Sequence, residues 1–381
     1  MRNINDTIGR LSAMRGAALP GSHAASDRLQ DLPPFGSNPG ALRARSYVPE
    51  HLADNAPLVV VLHGCTQTAA GYDHGSGWSH LADAHGFALL YPEQQRANNA
   101  NLCFNWFHSE DIRRDAGEAL SIRQMIAAMV AAHGIDPDRI YVTGLSAGGA
   151  MTSVMLATYP EVFAGGAVIA GLPYDTAHSV PEAFDRMRAH GGPPAAALGD
   201  LVAKASPHDG PWPILSVWHG TADATVHAAN ATLVVEQWRA LHGAPREAAQ
   251  VEQGAGHQRT VWHDGKGRAV IEEYRINGLG HGTPLATAGA EACGAAGPFM
   301  LEAGVSSTRR IAQFWNIAEA GAMHDARPAE TTPSNLVPAT ERRRPASSLP
   351  PRADASGGRG PATDRIGRVI EDALRAAGLM R

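Results

Sequence analysis

Ile140-Tyr141-Val142-Thr143-Gly144-Leu145-Ser146-Ala147-Gly148-Gly149-Ala150-Met151 decides the fold of this chain. A short β-branched and aromatic run, Ile140 to Thr143, reads as a buried strand. It enters Gly144-Leu145-Ser146-Ala147-Gly148, a Gly-x-Ser-x-Gly turn, and the residues from about 146 to 158 read as a helix. The glycines have a physical reason to flank the serine. In a sharp strand-to-helix turn a side chain at either position meets neighbouring backbone, and glycine lets the serine oxygen project above the sheet. The competing reading is an ordinary glycine-rich turn, but placement directly between a strand and a helix favours a nucleophile elbow.

Outward from this turn, Leu58–Leu62, Phe87–Tyr91, Ala167–Ala170 and Ile214–Trp218 are further short apolar runs without alternation. Parallel strands buried on both faces have this pattern. Helical spacing recurs over 111–132 and 227–241, a last strand is expected over Ala269–Ile276, and a last core helix over Ser307–Trp315. Strand and helix alternate, which argues a doubly wound parallel sheet; with the Gly-x-Ser-x-Gly elbow at a strand end, the expectation is an α/β-hydrolase fold, a mostly parallel central sheet with helices on both faces. The catalytic domain is expected over 36–318. Residues 1–35 read as a polar, loosely docked arm, and 319–362 as a disordered linker rich in Pro, Arg, Ser and Ala. The stretch 363–381 reads as an amphipathic helix, with Ile366, Val369, Ile370 and Leu374 on one face, able to dock on its own chain or on a partner. Residues 171–212, dense in Pro, Gly and Ala, read as an excursion at the strand ends.

The net charge of −5 carries no basic face, so no nucleic-acid partner is expected. No apolar run approaches the length of a membrane span, and no secretory leader is visible before residue 40. The 3 cysteines, Cys65, Cys103 and Cys293, are too few for a disulfide scaffold, and their spacing does not suggest zinc. No metal or organic cofactor is expected.

A serine hydroxyl needs a base, and the chain has 18 histidines. In this fold the order is Ser, acid, His. His281, in Gly278-Leu279-Gly280-His281-Gly282, hangs just after the last strand and is the expected base. His257 and His263 precede that strand and read as loop or surface residues. Asp223, in the loop after 214–218, is the expected acid; its competing role is a helix N-cap. The oxyanion donors are expected to be the backbone N–H of Ala147, after the serine, and of Cys65, in His63-Gly64-Cys65 after the strand 58–62. Trp106, Trp218 and Trp262 are candidates to line the substrate site, with burial in the core as the alternative for each.

With these pieces in place, the chain resembles the polyhydroxybutyrate depolymerase family of esterases, kin of feruloyl and acetylxylan esterases. The resemblance runs from about Gly40 to Ile317. It is carried by Leu62-His63-Gly64-Cys65, Cys103-Phe104-Asn105-Trp106-Phe107, Ile135-Asp136-Pro137, Gly144–Met151, Ala170-Gly171-Leu172-Pro173-Tyr174, His219–Asp223 and Gly280-His281-Gly282-Thr283-Pro284. It implies Ser146, Asp223 and His281 as the triad and the Cys65 and Ala147 amides as oxyanion donors. It implies hydrolysis of 3-hydroxyalkanoate polyester or oligomer, or of small esters, with feruloyl or acetylxylan ester hydrolysis as an alternative. A non-catalytic role in binding polymer granules or surfaces, through the C-terminal helix, is a third reading. Family polymer depolymerases carry separate substrate-binding modules where this chain has a linker and one helix, which favours oligomers and small esters. The resemblance implies an extracellular enzyme, with a cytoplasmic one as the alternative where no leader is visible. A Cys65–Cys103 bond that holds the oxyanion loop is a further hypothesis.

Overall fold

The computed structural model describes residues 27–290 and 292–319. The expected linker and C-terminal helix, and most of the expected arm, lie outside them. Within the described residues, ten strands form one sheet in the order β1-β2-β4-β3-β5-β6-β7-β10-β9-β8. They are β1 (Gln30–Asp31), β2 (Arg43–Tyr47), β3 (Ala56–Leu62), β4 (Ala88–Glu93), β5 (Ile135–Leu145), β6 (Gly165–Ile169), β7 (Ile214–Gly220), β8 (Gln250–Gly254), β9 (His257–His263) and β10 (Ala269–Ile276). The six central strands run parallel, and the two at each end pair antiparallel.

The helices are α1 (Ala69–Ser76), α2 (Trp78–His85), α3 (Gly117–His133), α4 (Ala147–Thr158), α5 (Val180–Met187), α6 (Ala195–Ala205), α7 (Ala229–Arg239) and α8 (Ser307–Phe314). The chain moves one way across the sheet from β3 to β4 and the other way from β4 to β5. Right-handed crossovers therefore put the intervening helices on opposite faces. Side-chain alternation agrees. Leu58, Val60, Leu62 and Val142 join a core with Met125 and Met129 of α3 and Met151 and Met155 of α4. Tyr141 points the other way and stacks on Trp315 at 4.8 Å, which in turn stacks on Trp78 of α2 at 6.1 Å.

All five expected central strands and the last strand are present. The departures have physical causes. The strand β2 reads Arg-Ala-Arg-Ser-Tyr, and its arginines are held by ion pairs: Arg43 to Asp31 and Glu93, Arg45 to Asp27 and Asp31. A charged strand near the sheet margin gives no apolar run. The same pairs hold the described part of the arm, 27–35, which forms β1 rather than hanging loose; Arg28 also bonds Tyr47, Ser79 and Asp83. Strands β8 and β9 make a polar hairpin, so His257 and His263 lie on a strand, not in loops. The helix expected from 111 begins at Gly117, because Asp111 turns the chain and accepts the Glu118 amide at 3.1 Å. The excursion holds α5, opened by Ser179, whose hydroxyl accepts from the Glu182 amide.

Candidate active site

Strand order reverses around β3, and the carboxyl ends of the parallel strands at such a reversal are the usual place for a ligand in such sheets. Ser146 stands there, between β5 and α4. Its backbone lies at φ 59°, ψ −118°, a conformation that costs a side-chain-bearing residue energy and persists only where the surroundings enforce it. The enforcement is steric. A Cβ on Gly144 would sit 2.3 Å from the Gly148 oxygen, and one on Gly148 would sit 2.3 Å from the Leu62 oxygen and 2.5 Å from that of His63. The two glycines thus allow α4 to press directly against the end of β3. That brings the loop carrying Cys65 beside the first turn of α4, with Ala147 buried at its start. Among the described residues, neither the Cys65 nor the Ala147 N–H is spent on a protein acceptor.

Two strands further along, β7 ends in His219-Gly220-Thr221-Ala222-Asp223, and β10 ends in the loop carrying His281. The two loops are sewn together: Ala222 N donates to Leu279 O at 3.0 Å and Gly278 N to the Thr221 hydroxyl at 2.9 Å. His281 Nδ1 lies 2.7 Å from Asp223 Oδ2, both side chains being buried. The other carboxylate oxygen, Oδ1, accepts the amides of Thr225 and Val226, each at 2.9 Å. Asp223 therefore holds an imidazole and fixes its own turn; it does not cap the following helix, which begins at Ala229 with Ala228 at its N-cap. Burial disfavours its charge, but the charge and hydrogen bonds of His281 and His219 outweigh that and hold the carboxyl well below the usual range. Among the described residues, no hydrogen bond joins Ser146 Oγ to His281. Asp223 and His281 are in contact, and Ser146 stands at the end of its own strand. Catalytic contacts commonly tighten only when substrate is bound.

Residues 43–261 match the profile of the family described as Esterase PHB depolymerase. This chain belongs to that family. Among its relatives is Poly(3-hydroxyalkanoate) depolymerase C of Paucimonas lemoignei, 46% identical over 83% of this chain and 77% of that one. Feruloyl esterase B of Talaromyces funiculosus is 32% identical over 70% of this chain and 76% of that one. The solved acetyl xylan esterase from Aspergillus awamori superposes with a TM-score of 0.65 at 23% identity, over 76% of this chain and 99% of that one. The fold is that of the α/β-hydrolases, and the protein is a carboxylic ester hydrolase.

Of the three tryptophans, the esterase keeps only Trp106 near the elbow, packed in an apolar cluster with Ala147, Leu172 and Val226, and with Phe107 and Met187 at its partly exposed margin. Trp218 is fully buried, stacked on Tyr274 at 3.7 Å, with its N–H donated to the Ser216 hydroxyl. Trp262 is core at the opposite end of the sheet, paired in register with Ile271 near the start of β10. Cys65 and Cys103 are joined in a disulfide; Cys293 is free and buried, and burial pushes its thiol up to about 11.

Sequence reasoning missed two neighbours of the site. His219 is buried with Nε2 2.8 Å from Val226 O and 3.4 Å from Asp223 Oδ2, a second imidazole on the acid. Its four-residue spacing to Asp223 was the available signal. Phe299 sets its ring edge-on to His281, 6.2 Å between centroids, and nothing local in its sequence marks it. Among the described residues, no helix is long and apolar enough to cross a membrane.

Proposed function

We propose that this esterase cleaves 3-hydroxyalkanoate esters, as oligomer or accessible polymer, with Ser146 as nucleophile, His281 as general base and acid, and Asp223 as its orienting carboxylate. The observation that carries the reading is the 2.7 Å His281–Asp223 bond at the sheet edge that also presents a serine held at φ 59°. Bonding of Nδ1 to the carboxylate leaves Nε2 to accept the serine proton. Ser146 Oγ attacks the ester carbonyl carbon while His281 Nε2 takes its proton. The carbonyl oxygen becomes an oxyanion held by the amides of Cys65 and Ala147, at the N-terminus of α4 where the helix dipole favours negative charge. The C–O bond to the alcohol breaks, and His281 returns the proton to that oxygen. Water then attacks the acyl-serine by the same route, releasing the acid and restoring the hydroxyl.

Identity to the Paucimonas lemoignei depolymerase, higher than to the feruloyl and acetylxylan esterases, supports the substrate class. So does the apolar cluster around Trp106 beside Ala147, which suits a short aliphatic acyl chain. The Cys65–Cys103 disulfide supports work in an oxidising compartment outside the cytoplasm. The test is hydrolysis of short-chain p-nitrophenyl esters by wild type and Ser146→Ala, with 3-hydroxybutyrate oligomers, feruloyl esters and acetylated xylan in parallel. Oligomers should be preferred and the variant inert. Residual activity in Ser146→Ala would remove the nucleophile, and a preference for feruloyl or acetyl esters would remove the substrate class.

A further inference from the structure

We infer that Glu118 and Gln94 are positioning residues for the Cys65 amide, acting through a buried hydrogen-bond relay that ties together the two loops joined by the disulfide. The inference rests on the reading of that amide as an oxyanion donor. The relay begins at the amide's own peptide. Gln94 N–H donates to His63 Nε2 at 3.1 Å. A backbone N–H can only donate, so Nε2 is the ring's acceptor and Nδ1 carries the proton, which it gives to Gly64 O at 2.8 Å. That oxygen and the Cys65 N–H belong to one planar peptide and point in opposite directions. Holding the carbonyl onto His63 therefore presents the N–H on the other side. Gly64 N is held in turn by Gln67 Oε1 at 2.8 Å, and Thr66 N by Asn101 O at 2.7 Å.

The Gln94 side chain carries the relay onward. Its Nε2 donates to Glu118 Oε1 at 2.6 Å and to Cys103 O at 3.0 Å, so one amide grips both the carboxylate and the partner half of the disulfide. Glu118 Oε2 accepts Asn105 N at 2.9 Å, two residues past Cys103, and Asn98 Nδ2 reaches Oε1 at 3.3 Å. Gln94 is 2% exposed and Glu118 0%. Every group on this carboxylate is a donor. An unmet donor in so dry a site is costly, so the arrangement resists replacement of Glu118. Glu118 stands in the first turn of α3, whose dipole favours its charge, whereas burial and nearby Asp111 push the carboxyl up to about 8. Neither residue is placed to touch substrate; both act through the peptide they hold.

Glu118→Gln is the informative substitution. It preserves volume but offers one acceptor oxygen where two are used, and sets an NH2 against a donor. The full-length variant is compared with wild type on p-nitrophenyl butyrate and with a trifluoromethyl ketone that places an oxyanion on the same amides. The expected result is a kcat at least tenfold lower, KM within twofold, and inhibition by the ketone weakened by the same factor as kcat. With 15N-cysteine labelling, three amide signals report the peptide directly; those of Cys65 and Cys103 should move while that of Cys293 stays. A folded variant with kcat and ketone affinity within twofold of wild type overturns the inference, as does a loss seen in melting temperature alone. If Glu118→Gln does not fold, Gln94→Met is judged by the same criteria. Activity surviving in Ser146→Ala would fail the underlying mechanism separately, leaving the cysteine signals to judge the relay.

Discussion

Removing the Cys65–Cys103 bond separates its contribution to stability from its contribution to the site. The bond closes a loop across a sequence separation of 38. The chain-entropy relation gives about 13 cal/mol/K for such a loop, or about 4 kcal/mol at 25 °C, acting through the unfolded state. For a domain of this size that corresponds to a fall in melting temperature of roughly 6–8 °C. The assay is urea denaturation of wild type and the Cys65→Ala/Cys103→Ala double variant, with the slope m checked for constancy. The same samples are assayed for ester hydrolysis well below the transition, where both are folded. Because Cys65 stands beside α4 and the partner loop is held by Gln94 and Glu118, kcat should also fall, with KM little changed. A stability loss under 1 kcal/mol at unchanged m would refute the loop-entropy argument. A full loss of stability with wild-type kcat would show that the relay alone holds the Cys65 peptide.

Four further outcomes are expected. Gly148→Ala should abolish most activity and cost on the order of 3 kcal/mol, because its Cβ would meet the Leu62 and His63 oxygens at 2.3 and 2.5 Å, backbone that cannot step aside; kcat and urea midpoint are the readouts. Asp223→Asn should lower kcat by about 10⁴-fold, the cost of losing the tautomer-fixing carboxylate. Since the Asp223 carboxyl is held below its ordinary range, the wild-type pH–rate profile should show no Asp223 titration above pH 4, and a carboxylate-dependent limb there would contradict the geometry. His242 donates to Pro213 O at 3.0 Å, and burial depresses its pKa to about 4. The unfolded chain then binds the extra proton between about pH 6.5 and 4, so stability falls as pH drops through that window, by on the order of 3 kcal/mol. His242→Gln should flatten the decline in urea midpoint between pH 7 and 5.

The parallel heart of the sheet was legible because burial on both faces writes continuous apolar runs. Val59, Leu89, Val142, Val168 and Val217 announce their strands whatever lies beside them. The antiparallel margins were not. Arg43 and Arg45 sit in β2 because Asp27, Asp31 and Glu93 meet them, and those partners come from elsewhere in the chain. A local window sees only charge. The hairpin of β8 and β9 is invisible for a related reason: β8 is wholly exposed, and an exposed edge strand needs no apolar face. Within 171–212 a local signal did exist, the capping pattern Ser179-x-x-Glu182 with Pro181 in the first turn, but the surrounding glycines and prolines masked it.

At the site, what was legible is what the backbone dictates. Ser146 is marked by glycines that a sharp turn requires, and Asp223 and His281 by their order, each in the loop after a parallel strand. These signals are local because they answer local steric problems. The tryptophans failed as markers because an indole fills a core as readily as it lines a cleft; only packing distinguishes Trp106, beside Ala147, from Trp218, stacked on Tyr274. Gln94, Glu118, His219 and Phe299 carry no such mark. Each is defined by a partner brought near through the fold: Glu118 by the amide of Asn105, Gln94 by His63, and Phe299 by His281. A hydrolase of this kind places its reacting groups by chain order but holds them by contacts that chain order does not contain. The residues hardest to read in sequence are therefore those on which the precision of the site depends. That is why the Gln94–Glu118 relay, rather than the serine, is where substitutions should lower kcat without touching a reacting atom.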